Sequence, residues 1–414
     1  MGLSRRKFVF GALAAGGVGT VALARNYFAE GLLNPCLAEL PPELANHELV
    51  QSAWDGIRKE LVWDCHAHIA GVGDGGSGIV VHPHMDKLYH PLQYVQKVAY
   101  MNAGCAHDAD GNVDTVYVER MRNLLDGMPA GYKLVLLAFD WFYGENGKAE
   151  PGRSTFHVPN AYAQKIAQTW PDRFEWMASI HPYREDAIAA LEEAARNGAR
   201  GVKWLPAAQG MHPASPRCHA YYDALARLKL PLLVHCGEEK AVHGGDTQHY
   251  GNPLYMRAAM ERGVKVIVAH CASLGEDRDI DRGSDGPHVS SFELFARLMD
   301  DPQYRGHLFG DISAVTQVNR GGEVLRTLLE KQEWHDRLLH GSDYPLPGVM
   351  PLYSTELMIS LGLLPASHRE TLVAIRRHNP LLYDFVLKRH LRSQGQGFAA
   401  ATFETRRLFA PLRG

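Results

Sequence analysis

The residues of this chain best able to do chemistry stand where short apolar runs stop. Trp63-Asp64-Cys65-His66-Ala67-His68 ends one such run with two imidazoles two residues apart, and side chains at that spacing on a strand point the same way. The run 230–234 leads straight into His235, the run 264–269 into His270, and Leu338-Leu339 into His340-Gly341-Ser342-Asp343. With 22 histidines in the chain, one His-x-His pair carries little weight, and His82-Pro83-His84 in a glycine-rich stretch reads as loop. The weight comes from several strand ends carrying such groups together. Three neutral imidazoles and a carboxylate, His66, His68, His235 and Asp343, make a donor set for one divalent ion. Zinc is the first expectation, and the same donors suit Mn, Fe or Co. A cation held there lowers the pKa of water to about 7. Asp343 can then accept a proton, and His270 can hydrogen-bond the water or a substrate oxygen as an acid/base.

Such groups need a frame that brings distant strand ends to one place. Eight strand-like segments can be counted, at 61–66, 133–139, 175–180, 199–205, 230–235, 264–270, 307–313 and 337–343, several nearly continuous in Val, Ile and Leu. Helical spacing follows at 185–197, 221–228, 253–262, 292–299 and 323–333. This alternation predicts an α/β fold, a (β/α)8 TIM barrel with its metal site at the C-terminal end of the strands. The connections 71–115 and 140–159 are long, irregular and rich in Gly, His and aromatic residues, and they read as loops covering the substrate. Val202 and Trp204 flank Lys203, which turns the lysine inward. It can pair with Asp64 or face a substrate carboxylate. Trp141, Trp204 and Tyr344 follow strands at the same end and are candidates to line a substrate pocket. Cys65, Cys236 and Cys271 adjoin site histidines and read as packing residues, as does His340; His181 reads as structural or as a neighbour of the site.

The chain resembles the amidohydrolase superfamily, particularly the subgroup containing aminocarboxymuconate-semialdehyde decarboxylase. The resemblance runs over about residues 61–388. It rests on the histidine pair, on Pro159-Asn160-Ala161-Tyr162 leading to Trp170-Pro171-Asp172-Arg173-Phe174, and on Gly201-Val202-Lys203-Trp204-Leu205-Pro206 with Gln209-Gly210. Gly341-Ser342-Asp343-Tyr344-Pro345 and His378-Asn379-Pro380-Leu381-Leu382-Tyr383 complete it. It implies His66, His68, His235 and Asp343 as metal ligands and His270 beside the metal's water. One ion is expected, with a second if Lys203 is carboxylated. The leading expectation is a hydrolase that uses metal-activated water on an ester, lactone or amide carbon of a small molecule. The alternative is a non-oxidative decarboxylase of a carboxylated ring or unsaturated acid, with Lys203, Arg153 or Arg184 as its cationic clamp. A metal- or ligand-binding barrel without turnover is the third reading.

The 414 residues, 46% apolar, can hold a large core, and positive and negative residues are interspersed, which argues against a nucleic-acid partner. Ser4-Arg5-Arg6-Lys7-Phe8-Val9, the apolar stretch to Ala24 and the small-x-small Ala22-Leu23-Ala24 read as a cleavable twin-arginine export signal. The export machinery is thus an expected partner and the periplasm the expected compartment. Loss of three basic residues and no acidic one takes the formal charge from -3 to -6. An arm at 25–58, the barrel at 59–392 and a tail at 393–414 complete the organisation, and a homo-oligomer is compatible with it. The six cysteines show no spacing that predicts a disulfide framework, and Cys36 lacks a lipoprotein box.

Overall fold

The structure, a computed structural model, describes residues 30–409 except 110, 243 and 244; the segment read as an export signal and the last residues of the tail lie outside this range. All eight expected strands form, as β1 (Trp63–His68), β2 (Lys133–Leu137), β3 (Phe174–Met177), β4 (Val202–Trp204), β5 (Leu232–His235), β6 (Val266–Ala269), β7 (Leu308–Asp311) and β8 (Leu338–Leu339). β1, β2 and β3 pair in one parallel ladder, and β4 to β8 pair in another. A parallel bridge from Ala178 to Val202 joins β3 to β4, and one from Ala67 to Tyr344 joins β8 to β1. The Cys65 N–H also donates to the His340 carbonyl at 3.0 Å. The ladders thereby close into a (β/α)8 barrel.

Alternation divides each strand between two cores. Leu134, Leu136, Val202, Trp204, Leu232, Val234, Val266 and Val268 pack outward under the helices. Val135, Leu137, Met177, Leu233, Ile267 and Leu339 fill the lumen with Trp63 and Cys65. Strands buried on both faces explain the apolar runs seen in the sequence. Continuing the inward parity upward from Leu233 and Ile267 brings His235 and Ala269 to the mouth.

β1 departs from simple alternation in a way that matters for the site. Asp64 stands opposite Leu134 but Ala67 stands opposite Leu136, so β1 spends one residue more than its partner. This bulge resets the parity: Trp63 and Cys65 face the lumen below it, His66 and His68 face the mouth above it. The cysteine next to a site histidine therefore lies beneath it and is not turned to the helix layer.

The helices include α1 (Pro91–Ala103), α2 (Val113–Asp126), α3 (Asn160–Thr169), α4 (Ala187–Arg196), α5 (His219–Leu228), α6 (Ser291–Asp300), α7 (Gly322–Glu330), α8 (Arg369–His378) and α9 (Pro380–His390). None of the described helices is long and apolar enough to cross a membrane. Two expectations change. The long first connection contains α1, begun by Pro91, which the sequence conceals because this helix lines a cavity and buries only its last turn, Asn102 and Ala103. The helix expected over 253–262 is a 3-10 segment, Pro253–Met256, and one α turn, Arg257–Met260. The cysteine spacing suggested no disulfide framework, yet Cys36 and Cys105, 69 residues apart, are disulfide-bonded with Cα atoms 5.7 Å apart. Their proximity depends on the arm lying beside the end of α1, where the Cys36 sulfur and the backbone of Asn102 also meet, and no local spacing encodes that.

The arm and tail seal the other end of the barrel. Trp54 stacks on Phe385 with ring centroids 3.9 Å apart, and Arg58 pairs with Glu404. Phe409 joins the cluster that fills the lumen. On α9, Lys388 Nζ lies 2.6 Å from Asp384 Oδ2 and donates to the Gly341 carbonyl at 2.8 Å, both side chains being fully buried. Burial pushes Asp384 up to about 6 while the lysine opposes the shift. Lys388→Met should strand this carboxylate and cost about 3–5 kcal/mol, whereas Lys388→Met with Asp384→Asn should cost distinctly less. Urea unfolding of both variants measures the difference; equal losses would show that the pair is not what Lys388 contributes.

Candidate metal centre

Four histidines from three strand ends and the carboxylate of Asp343 gather at the mouth. The His66 and His270 rings stack 4.9 Å apart, with His68 at 5.1 Å from His66 and His235 at 5.3 Å from His270. Asp343 Oδ1 lies 3.1 Å from His68 Nε2 and 3.5 Å from His66 Nε2, and its Oδ2 lies 3.8 Å from His270 Nε2. Two donors each about 2.0–2.2 Å from a shared ion stand roughly 3–3.5 Å apart, so His66, His68 and Asp343 fit a metal as they are. A second group of metal-compatible donors, His66, His270 and Asp311, shares His66 with the first.

Asp311 went unnoticed in the sequence. It ends β7 two residues after the inward-facing Phe309, so the same parity rule could have found it. Its Oδ2 accepts from His66 Nδ1 at 2.9 Å, and its Oδ1 accepts from the backbone N–H groups of His270 at 3.0 Å and Ser313 at 2.9 Å, and from the Ser313 hydroxyl. Burial alone would raise this carboxyl, but His66, His270 and the hydrogen bonds hold it well below the usual range. A proton on His66 Nδ1 leaves Nε2 as the acceptor, facing Asp343 at 3.5 Å with Lys203 Nζ at 3.3 Å. Burial, helped by Lys203, pushes the His66 imidazole down to about 4, so it is neutral near pH 7.

His270 sits on an unusual backbone. His270, Cys271 and Ala272 have φ of 54°, 52° and 50°, and Asp343 has 61°, all in the left-handed region that non-glycine residues seldom occupy. The turn carries His270 over the mouth, where its Nδ1 donates to the Ser313 carbonyl at 3.1 Å, with the Ser313 hydroxyl at 2.8 Å. A carbonyl only accepts, so Nδ1 holds the proton and Nε2 faces Asp343 as an acceptor. Gly341 lets β8 approach β1: a Cβ there would lie 2.8 Å from the His66 Cβ. Burial would raise Asp343, but His270, His66 and His68 hold its carboxyl well below the usual range.

The other expected site residues divide. His235 lines the same cavity, but its Nδ1 lies 3.3 Å from Glu239 Oε2 and its Nε2 3.4 Å from the Glu238 carbonyl, so it stands apart from the compact donor groups. Glu239 was also missed, although it follows His235 by four residues. Lys203 points inward as expected, yet its Nζ lies 3.3 Å from His66 Nε2 and not beside Asp64, which accepts from the N–H groups of His66 and Ser342. Trp141, Trp204 and Tyr344 do not line the cavity. Trp204 packs outward and donates to the Ile180 carbonyl, Tyr344 is buried beside Tyr117, and Trp141 stacks on His157 in a separate depression. The aromatic rings lining the cavity are Tyr100 and Phe156. Arg153 pairs with Asp246 and Glu150, and Arg184 with Asp140 and Asp186, so neither is free to clamp a substrate. His181 binds the Gln209 carbonyl and the Tyr183 N–H, and His340 binds Tyr132, both structural roles.

The sequence model of the amidohydrolase family matches residues 63–381. The chain belongs to the amidohydrolase family. This amidohydrolase is similar to three solved structures. An uncharacterized TIM-barrel protein of Bordetella bronchiseptica shares 15% identity, with 72% of this chain and 94% of that one covered and a TM-score of 0.45. A putative 2-pyrone-4,6-dicarboxylic acid hydrolase of Pseudomonas putida shares 18%, covering 75% and 93%, TM-score 0.43. A 5-carboxyvanillate decarboxylase of Sphingomonas paucimobilis shares 13%, covering 70% and 91%, TM-score 0.41. No curated protein matches the chain.

The hydrogen bond from His66 to Asp311 makes a specific prediction. Asp311→Asn should weaken metal binding about 10–100-fold without abolishing it, the usual effect of losing a carboxylate behind a ligating imidazole. Zinc titration against a chromophoric chelator reads this. Unchanged affinity would remove Asp311 from the site, and complete loss would make it a ligand.

Proposed function

We propose that this chain is a metal-dependent hydrolase acting on an ester, lactone or amide carbon of a small molecule. The observation that carries the reading is the double engagement of Asp343, with Oδ1 among the imidazoles of His66 and His68 and Oδ2 toward His270. His66, His68 and Asp343 would hold one divalent ion, zinc by first choice, with His235 close enough to join after rotation away from Glu239. Bound there, such an ion supplies Lewis-acid polarisation of a carbonyl and lowers the pKa of water. Asp343 Oδ2 takes the proton of the attacking water. His270 Nε2, bare in the tautomer that Ser313 imposes, hydrogen-bonds the same water and relays the proton to the leaving group. The cavity of about 370 Å³ in front of these groups has mostly apolar walls.

A second reading, decarboxylation, draws on Lys203: it is buried and has no carboxylate within 4.0 Å among the described residues, so it can face a substrate carboxylate. Assaying ester and lactone panels beside carboxylated aromatics separates the two. In the hydrolase, elemental analysis should find about one ion per chain, unchanged in Lys203→Ala. His270→Ala should keep the ion and lose turnover about 10²–10⁴-fold, whereas His235→Ala should lose metal. A count near two that collapses in Lys203→Ala would replace this centre by a carbamate-bridged pair.

We further propose export through the twin-arginine route to the periplasm. The Arg5-Arg6 signature supports it, as does the Cys36–Cys105 disulfide, a bond at home in an oxidising compartment. Replacing Arg5 and Arg6 by lysine should leave folded, metal-loaded protein in the cytoplasm; export of that variant on cell fractionation would refute the route.

A further inference from the structure

Arg320, ten residues beyond the glycine of β7, is 8% exposed and borders the cavity that holds the metal donors. Its Nε donates to Gln317 Oε1 at 3.2 Å and its Nη1 to Ser273 Oγ at 2.9 Å, and both partners are neutral. Among the described residues no carboxylate lies within 4.0 Å of the guanidinium, and Nη2 is neither bonded nor sealed from the cavity. Of the other charges on the cavity wall, Lys97 pairs with Asp86, Lys240 with Glu238, and Glu239 faces His235 and the N–H groups of Ala241 and Val242, while Lys203 meets His66 Nε2 at 3.3 Å deeper in the mouth. Burying a guanidinium without a counter-ion is costly, and arginine cannot escape the cost by losing its proton. A planar fork anchored by two neutral acceptors is fixed in direction while its charge stays unspent. Asp343, Glu239 and Asp311 act on the guanidinium only from a distance, so it lacks a contacting anion, and the cavity is the open side from which one can come.

We propose that Arg320 is the specificity-determining residue for an anionic substrate, holding a carboxylate or similar oxyanion that is not the reacting group, while Ile69, Ile79, Val95, Phe156, Val158 and Leu205 enclose an apolar body. The proposal rests on the reading of this cavity as the active site but not on the reaction class. Arg320 also bonds Ser273, next to the turn that carries His270, so a purely structural role is the competing account.

The test uses the metal-loaded protein and a matched pair of probes, 4-phenylbutyrate and 4-phenylbutyramide, with binding measured by calorimetry. It reads no turnover, so a decarboxylase would pass as well as a hydrolase, and failure of the hydrolytic reading would appear in the assay panels instead. The wild type should bind the acid about tenfold or more tightly than the amide, the scale of one charge-assisted hydrogen bond. Arg320→Gln should bring the two within about twofold, Arg320→Lys should keep part of the preference, and Ser273→Ala should keep all of it. Metal content and melting temperature check that each variant is folded; if Arg320→Gln is not, the contrast between the lysine variant and the wild type decides. No preference in the wild type overturns the proposal. So does a preference that survives Arg320→Gln, because the metal would then be holding the anion, and so does a preference lost in Ser273→Ala, because position and not charge would then be what Arg320 supplies.

Discussion

The carboxylate of Asp311 is the point on which the site depends. Its oxygens accept from a ring nitrogen on β1, a backbone N–H just past β6, and the backbone and hydroxyl of Ser313 just past β7. Three strand ends are thereby tied at one buried anion. Because a carboxylate only accepts, it also selects the tautomer of His66 and turns that residue's remaining lone pair toward Asp343. Ser313 repeats the arrangement one layer out, selecting the tautomer of His270. The two imidazoles that matter most are each oriented by an oxygen that only accepts, the Asp311 carboxylate for His66 and the Ser313 carbonyl for His270.

The electrostatics of the mouth follow from this knot. Burial lowers the affinity of His66, His235 and His270 for protons, while the surrounding imidazoles hold Asp343 and Asp311 ionised. Neutral imidazoles beside an ionised carboxylate are the protonation states that a divalent ion requires, so little deprotonation has to accompany binding. The strained left-handed turn at 270–272 fits the same picture: the hydrogen bonds of Asp311 and Ser313 hold a backbone that would otherwise relax, and the result is an acid/base group aimed at Asp343.

Around this centre the molecule is layered by distance from the chemistry. The far end of the lumen is closed by arm and tail, through Trp54, Arg58, Glu404 and Phe409. The near end is roofed by the first two connections, where a short antiparallel pairing of Val80-Val81 with Phe156-His157 joins one to the other and α1 adds a wall. The Cys36–Cys105 bond fastens the arm to the end of that wall, so a segment remote in sequence steadies the cavity's edge.

Alternation at two residues and the placing of ionisable groups after apolar runs were enough to read the barrel, all eight strands, and the convergence of His66, His68, His270 and Asp343, because strand direction and side-chain parity are local properties of a chain buried on both faces. Lys203 pointing inward follows from the same rule. What local pattern cannot carry is which nitrogen faces which neighbour. The bulge in β1, the turn of His235 toward Glu239, the outward packing of Trp204 and the burial of Tyr344 all arise from contacts between segments far apart in sequence. The same holds for Asp311, whose importance lies in three partners brought to it by closure of the barrel, and for the disulfide and the unpaired charge of Arg320. The sequence by itself determined the kinds of groups and the end of the barrel at which they meet; the tertiary structure decided their orientation, because hydrogen-bond direction is set by the partner across the gap and not by the residue alone.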